Sequence, residues 1–194
     1  IEFYNLNNKK ISVIYNGGDH LNDVLISEKS NKSSEKPYIL YVGSRSKYKN
    51  FRLFVESYKK SKRLVDDFKI VCFGGGNFSK DEIVFLRKLK ISDNINLISG
   101  DDEDLKFYYK NASLFVYPSL YEGFGLSILE AMNIGCPVLV SDIPVFREIL
   151  NDNINFFDPK SHEDLIFNME KILFCNDNKV KLISNGKEIS KKYL

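Results

Sequence analysis

Residues 117–148 have the sequence YPSLYEGFGLSILEAMNIGCPVLVSDIPVFRE, and this stretch contains the clearest signals of secondary structure in the chain. The apolar run at 114–117 predicts a strand, and residues 126–134 predict a helix that Gly135 terminates. A second apolar run, at 137–140, predicts another buried strand. Strand, helix and strand in this order form a βαβ unit, which is the building block of parallel sheets.

The loop at 119–125 joins the first strand of this unit to its helix and holds the polar chemistry. Glu122 lies in the loop and Glu130 in the helix, with seven residues between them. The glycines that flank Phe124 allow the backbone to approach a ligand closely. The first helical turn is predicted to leave its N–H groups unpaired, at Leu126, Ser127 and Ile128. An anion is therefore favoured at this helix start.

The segment EGFGLSILE, followed by AM, G and PV, resembles the E-x7-E segment of the family 4 (group 1) retaining glycosyltransferases. The resemblance implies the GT-B architecture, in which two Rossmann-like domains face each other, and it places this segment in the C-terminal, donor-binding domain. Residues 1–194 are then expected to form a single donor-binding domain. We expect the N-terminal acceptor domain and the final helix, which crosses back to it, to be absent from this chain, which contains no tryptophan.

Composition agrees with one globular domain. The 194 residues are 43% hydrophobic and 28% charged, and they suffice for a core without disulfides. The net charge of +2, with lysines interleaved among acids, predicts no nucleic-acid partner. Three cysteines without a metal-binding spacing, Cys72, Cys136 and Cys175, are predicted to be buried free thiols. No apolar run has the length of a membrane span, so we expect a cytoplasmic protein, or one at the inner face of the membrane.

The loop after the first buried strand is the second candidate site. Pro37 precedes the apolar run YILYVG, which predicts a parallel strand, and the sequence GSRSKYKN follows. Arg45 and Lys49 therefore lie at the carboxyl end of a strand, where open α/β sheets bind ligands. A helix is predicted over about 50–62, with Asn50 as its N-cap.

The family resemblance assigns roles to this loop. It implies that Arg45 and Lys49 hold the donor diphosphate, with Lys47 as the alternative to Lys49. The form GSR followed by YKN is similar to that of bacterial polysaccharide mannosyltransferases.

Glycine turns mark further predicted strand ends. Residues 10–18 (KISVIYNGG) predict a short strand and a turn, and they resemble the segment that leads into the donor domain; His20 is predicted to be an exposed turn histidine. Residues 23–36 are polar and predict a surface loop.

Residues 69–73 predict a strand before GGGN, where Ser79 replaces the third glycine of a dinucleotide fingerprint and makes that interpretation weak. The resemblance instead implies a glycine turn beside the donor. Ser79 and Glu82 predict a capping box that opens a helix to Leu89. Residues 95–98 predict a third strand, whose following loop the resemblance places against the nucleotide base.

The acidic run DDED at 101–104 could ligate Mg²⁺, but it opens a predicted helix, where negative charge is favoured. We favour the helix start, and the resemblance implies neither metal nor cofactor. Further on, a strand is predicted at 154–157, a helix from Ser161 to about Phe174, and a last helix from Asp177. The whole pattern predicts an α/β fold with a doubly wound parallel sheet of about six strands.

The predicted function is transfer of a hexose, with retention, from a nucleotide-diphosphate sugar to a glycan or lipid-linked acceptor that the N-terminal domain binds. By resemblance, Glu122 binds sugar hydroxyls and Glu130 binds ribose hydroxyls. The donor-binding residues are predicted to be Gly17, Gly18, Gly43, Gly74, Gly100, Phe124, Gly125, Leu126, Ser127 and Glu130. GDP-mannose is favoured as the donor. The alternatives are a UDP-sugar, a nucleotide-binding module without activity, and a nucleotide-sugar epimerase of the same architecture.

Overall fold

The structure, a computed structural model, describes residues 14–26 and 36–193. The strands are β1 (Tyr38–Val42), β2 (Lys69–Phe73), β3 (Ile95–Ile98), β4 (Leu114–Tyr117), β5 (Val138–Ser141) and β6 (Asn155–Phe157). The α-helices are α1 (Phe51–Lys60), α2 (Lys62–Asp67), α3 (Lys80–Leu89), α4 (Asp102–Asn111), α5 (Leu126–Ile134), α6 (Pro144–Leu150), α7 (His162–Leu173) and α8 (Asn176–Ser190). The predicted strand at 10–18 and the predicted loop at 23–36 lie partly outside the described residues, and residues 14–18 form no strand.

The six described strands form one parallel sheet in the order β3-β2-β1-β4-β5-β6, which confirms the predicted doubly wound fold. From β1 the next strands along the chain, β2 and β3, lie on one side of the sheet, and β4, β5 and β6 lie on the other. At such a switch point the connections leave to opposite sides, so a crevice opens at the carboxyl ends of the two strands. The loops after β1 and β4 are the two candidate sites that the sequence singled out.

Burial explains why these segments are strands. β4 and β5 are buried along their whole length, as expected for parallel strands covered on both faces. α1 packs against α7, and α5 packs against α4 and α8, so helices enclose the sheet. Cys72 and Cys136 are buried in this core as predicted, whereas Cys175 is exposed because it precedes α8 at the surface.

The region after β1 differs from the prediction of one helix over 50–62. α1 ends at Lys60, and the side chain of Ser61 caps a separate helix, α2, by accepting from Leu64 N at 3.2 Å. Asn50 has a left-handed backbone, with φ of 56°, and its side chain does not cap α1. Instead Asn50 Nδ2 donates to the carbonyl of Pro159 at 2.8 Å and ties α1 to the start of α7.

The predicted helix starts elsewhere are confirmed. Ser79 and Glu82 form the reciprocal capping box of α3. Ser161 caps α7 by accepting from Asp164 N. The acidic run opens α4, where Asp101 Oδ1 accepts from Asp104 N at 3.0 Å. α6 was not predicted; it begins at Pro144, in the first turn where proline is tolerated.

Candidate functional site

The switch point brings the two predicted loops together. Residues 43–50 follow β1 and residues 118–125 follow β4, and the backbone N–H of Leu120 donates to the carbonyl of Tyr48 at 2.7 Å. This hydrogen bond joins the loops directly across the crevice. The predicted ligand-binding residues Lys49 and Glu122 are thereby placed side by side.

Lys49 and Glu122 form an ion pair at the centre of the crevice. Lys49 Nζ donates to Glu122 Oε1 at 2.7 Å and to the hydroxyl of Tyr117 at 3.1 Å. The two charged side chains are 15% and 12% exposed, so they are sheltered but reachable from solvent. Lys47, the alternative to Lys49, has an exposed side chain on the same 3-10 turn. The structure therefore couples Lys49, and not Lys47, to Glu122.

Arg45 is directed away from this pair. Its side chain is 3% exposed, and its guanidinium lies among residues 74–77, the glycine loop after β2. Arg45 Nε donates to Glu82 Oε1 at 2.8 Å. Arg45 thus bridges the β1 and β2 loops, while Lys49 reaches the β4 loop.

Glu130 lies on the buried side of α5, with a side chain that is 8% exposed. The hydroxyl of Tyr109 donates to Glu130 Oε2 at 3.3 Å, and His20 Nδ1 lies 3.5 Å from Glu130 Oε1. Burial raises the pKa of the Glu130 carboxyl above its ordinary value, and His20 and Tyr109 offset part of that rise. A carboxylate in this position is suited to accept hydrogen bonds from hydroxyl groups.

Gly18 explains why His20 reaches Glu130. The N–H of Gly18 donates to the carbonyl of Tyr193 at 2.8 Å, and a Cβ atom at Gly18 would lie 2.6 Å from Leu129 Cβ. Only glycine allows the backbone to lie this close to α5. His20 is 50% exposed in a turn, as predicted, but no pattern in the sequence indicated that it contacts Glu130.

The loop around Phe124 is packed against aromatic neighbours. The ring of Phe124 stacks on Tyr15 at a centroid distance of 5.8 Å and meets the edge of Tyr193 at 5.9 Å. Gly125 is the N-cap of α5, and its carbonyl accepts from the N–H of Ile128 at 3.0 Å. The prediction that the N–H of Ile128 is unpaired was therefore wrong, because the chain turns tightly there.

The remaining predicted donor-binding residues lie near the carboxyl edge of the sheet. They are the glycines that follow β1, β2 and β3, the glycine beside Gly18, and the first two residues of α5: Gly43, Gly74, Gly100, Gly17, Leu126 and Ser127. Gly100 leaves no room for a side chain because Asp104 lies against it. None of these assignments is tested by the geometry, and they stay predictions.

Sequence reasoning missed three side chains that hold the site together. Tyr117 accepts from Lys49, Tyr109 donates to Glu130, and Glu82 accepts from Arg45. Tyr117 is the last residue of β4, and that position was a usable signal, since the carboxyl ends of parallel strands line the crevice. The contacts of Tyr109 and Glu82 depend on how helices pack and carried no signal in the sequence.

No group of three or more histidine, cysteine, aspartate or glutamate side chains is arranged to hold a metal ion within the described ranges, 14–26 and 36–193. The expectation that the site needs no metal stays a prediction. In the same part of the chain, no helix is long and apolar enough to cross a membrane.

Comparison with protein families matches residues 24–189 to the family described as "Glycosyl transferases group 1". Over 175 residues the chain is 35% identical to the O-antigen chain mannosyltransferase RfbU of Salmonella typhimurium, covering 87% of this chain and 47% of that protein. It is 34% identical over 127 residues to the O-antigen chain mannosyltransferase B of Escherichia coli, covering 63% of this chain and 33% of that protein. The chain thus spans about half or less of the length of these relatives.

Solved structures share the fold. A glycosyltransferase from Rickettsia africae superposes with a TM-score of 0.78 at 21% identity, covering 98% of this chain and 54% of that chain. The C-terminal domain of a group 1 glycosyltransferase, LpcC of Francisella tularensis, superposes with a TM-score of 0.70 at 23% identity, covering 81% of this chain and 87% of that domain.

Proposed function

Since the chain belongs to the group 1 glycosyltransferases, we propose that it is the donor-binding half of an enzyme that transfers a hexose from a nucleotide-diphosphate sugar to a glycan or lipid-linked acceptor. The acceptor would be bound by a domain outside this sequence. The observation that carries the proposal is the Lys49–Glu122 pair, which spans the switch point of a doubly wound sheet.

Lys49 would bind the diphosphate of the donor. When the glycosidic bond breaks, negative charge grows on the β-phosphate, and an ammonium group already held in place stabilises that charge. Such a preorganised donor is typically worth about 3 kcal/mol in the transition state. In the structure Tyr117 and Glu122 hold Lys49 Nζ in position, and the start of α5 lies at the end of the same loop.

The two carboxylates would bind hydroxyl groups. Glu122 lies beside Lys49, so it would contact the sugar next to the diphosphate. Glu130 lies on α5 beneath His20 and would accept hydrogen bonds from ribose hydroxyls. A carboxylate can accept two vicinal hydroxyls at once, which suits both positions.

Retention would follow from attack on the face that the diphosphate leaves. The bond between the sugar C1 and the β-phosphate oxygen breaks, the acceptor oxygen bonds to C1, and the acceptor proton passes to the departing phosphate. No nucleophilic role for Glu122 is needed, and its ion pair with Lys49 suits a binding role.

Mannose from GDP-mannose is the donor that we favour, because relatives at 34–35% identity are named as mannosyltransferases. The loop sequence GSRSKYKN agrees with this choice, since it is similar to the form in bacterial polysaccharide mannosyltransferases. A UDP-sugar is the alternative donor, and the following experiment distinguishes it from GDP-mannose.

The test is thermal unfolding of the chain with GDP, UDP, ADP or no nucleotide. GDP at about one hundred times its dissociation constant should stabilise the protein by about 2.7 kcal/mol. Lys49→Ala should abolish the shift, while Lys47→Ala, on the same turn, should preserve it. A shift with UDP alone would replace the favoured donor. No shift with any nucleotide, or a shift that Lys49→Ala leaves intact, would contradict the proposed site.

A further inference from the structure

We propose that His20 is a positioning residue of the nucleotide site, which holds Glu130 as an acceptor for ribose hydroxyls, so that nucleotide affinity depends on the charge of this histidine. This role rests on the proposed function, in which Glu130 binds the ribose. It adds a residue from the segment before β1 to a site that otherwise consists of α5 and the loops after the strands. GDP and UDP share the ribose, so this role of His20 is the same for either donor.

The turn that carries His20 is fixed to two helices. Leu21, the next residue, is 1% exposed and belongs to the hydrophobic core. Lys106 Nζ on α4 donates to the carbonyl of Asn22 at 2.9 Å, and Asn133 Nδ2 on α5 donates to the side-chain oxygen of the same residue. These contacts of its neighbours give the imidazole a fixed place beside α5.

Two side chains contact the carboxylate of Glu130, one at each oxygen. The hydroxyl of Tyr109 donates to Oε2 at 3.3 Å, and His20 Nδ1 lies 3.5 Å from Oε1. A carboxylate oxygen has about two acceptor sites, so both oxygens can still accept from a hydroxyl of a ligand. The glutamate side chain is 8% exposed and the histidine side chain is 50% exposed, so the carboxylate is the more sheltered partner of the pair.

The charge of His20 favours the ionised form of Glu130. Burial and the negative charge of Asp102, at the start of α4, raise the pKa of the Glu130 carboxyl, while His20 and the hydrogen bond from Tyr109 act in the opposite direction. Other charged side chains on the turn and beside it are Asp19, Asp23 and Lys106. Histidine is the side chain that changes its charge between about pH 5 and pH 8. The charge of His20 therefore matters most in the lower part of that range, where the raised pKa of Glu130 favours the protonated carboxyl.

A histidine that only covered Glu130 would compete with the ribose, and its removal would make nucleotide binding tighter. A cover has to leave when the ligand arrives, but this turn is anchored by Leu21 and by its hydrogen bonds to α4 and α5. The imidazole also lies at the distance of an ion pair from Oε1, which suits a lasting contact. Positioning and covering therefore predict opposite signs for the loss of His20.

The deciding measurement is the affinity of His20→Gln for GDP, by calorimetry at about pH 6 and about pH 8. Glutamine is polar but cannot carry the charge. At the lower pH the variant should bind GDP about fivefold less tightly than the wild type, which is the upper range for an exposed ion pair, and at the higher pH the difference should fall below about twofold. Titration of the GDP phosphate is common to both proteins and cancels in this ratio. An equal ratio at both pH values, an unchanged affinity or tighter binding would overturn the inference.

The second of the two histidines in the chain gives a matched control. His162 opens α7, where its Nδ1 and the hydroxyl of Ser57 are hydrogen-bonded at 2.9 Å and its Nε2 lies 3.6 Å from Glu56. His162→Gln should follow the GDP affinity of the wild type at both pH values. If His162→Gln removed the pH effect instead, the effect would belong to α7, and the role of His20 would be overturned.

The route through Glu130 and the ribose is tested with 2′,3′-dideoxy-GDP. Without ribose hydroxyls, His20→Gln should no longer weaken binding at about pH 6, and the same should hold for GDP in the Glu130→Gln background. A loss that persists with the dideoxy nucleotide would show that His20 attracts the phosphates directly and would overturn the positioning role. A wild-type chain that binds no nucleotide would contradict the proposed function as well. If Glu130→Gln weakens GDP binding and His20→Gln does not, the proposed function stands and only this inference fails.

Discussion

Arg45 and Lys49 stand four residues apart in one loop, yet the structure surrounds them very differently. Four carbonyls and Glu82 enclose the guanidinium, and its side chain is 3% exposed. Lys49 contacts Glu122 and the Tyr117 hydroxyl at the open crevice, and it is 15% exposed. The contrast shows that two cations of one loop are held by different partners and to different degrees.

The largest effect is expected from Gly75→Ala. The new methyl group would overlap the Gly43 carbonyl, and φ at this position is 73°. Left-handed strain of about 1 kcal/mol and overpacking of up to about 3 kcal/mol should together reduce the free energy of unfolding by about 4 kcal/mol. Urea denaturation measures this change.

Gly76→Ala is the matched control for this substitution. Its φ of 70° is almost the same, but no atom lies within 4 Å of the added methyl group. Only the backbone strain should remain, about 1 kcal/mol. Equal losses in the two variants would show that the Gly43–Gly75 contact does not hold the loops together.

Arg45→Ala should reduce the free energy of unfolding by about 3 kcal/mol, because it leaves Glu82 as a sheltered charge without its partner. Lys49→Ala should cost less, about 1 kcal/mol, because Lys49 donates two hydrogen bonds whereas Arg45 donates five. Chemical denaturation of both variants measures the difference. A larger loss in Lys49→Ala would reverse the contrast between the two cations.

The pH dependence of the free energy of unfolding should show that the ionised form of Glu82 stabilises the fold. Burial raises the pKa of its carboxyl, but hydrogen bonds from Ser79 and the charge of Arg45 outweigh burial and hold the pKa below its ordinary value of 4.5. The stabilisation is therefore complete above about pH 4.5 and is lost as the pH falls through the lowered pKa. Glu82→Gln should be less stable than the wild type by roughly 1.5 kcal/mol at pH 7. This difference should shrink in strong acid, and a difference that is constant from pH 7 to pH 3 would contradict it.

Glu130→Gln should give the smallest change and the opposite sign. Burial raises the pKa of the Glu130 carboxyl, so ionising this group costs more free energy in the folded state than in the unfolded state. This destabilisation appears as the pH rises from the ordinary value of 4.5 through the raised pKa. The amide lacks that cost, so the variant should be slightly more stable at pH 7, by at most about 1 kcal/mol. Thermal unfolding at pH 7 and pH 4 checks the sign, and the gain should shrink at pH 4.

Nucleotide binding gives Glu130→Gln its second readout. If Glu130 accepts ribose hydroxyls, the same substitution should weaken binding of GDP by calorimetry. A variant that is more stable but binds GDP less tightly would indicate that Glu130 serves ligand binding at a cost in stability. Unchanged affinity would remove Glu130 from the proposed site.

Local signals predicted most of the fold. The apolar runs of β1, β2, β3, β4 and β5 were located to within a residue, and the capping box at Ser79 and the serine cap at Ser161 located the starts of α3 and α7. The division of the predicted helix at 50–62 was missed, because it depends on the extended backbone of Ser61, whose side chain caps α2. The left-handed Asn50 was missed because its side chain bonds to Pro159, 109 residues further on.

The amino-acid sequence alone predicted the succession of the six strands and most of the helices, the glycine turns, and the presence of Lys49, Glu122 and Glu130 in loops or a helix beside strand ends. Apolar periodicity and helix caps are local, and they are written in neighbouring residues. The contacts of Lys49 with Glu122, of His20 with Glu130 and of Arg45 with the glycine loop could be seen only in the folded chain. Those contacts join residues that are 29–110 positions apart, so they depend on strand order and on the geometry of the switch point.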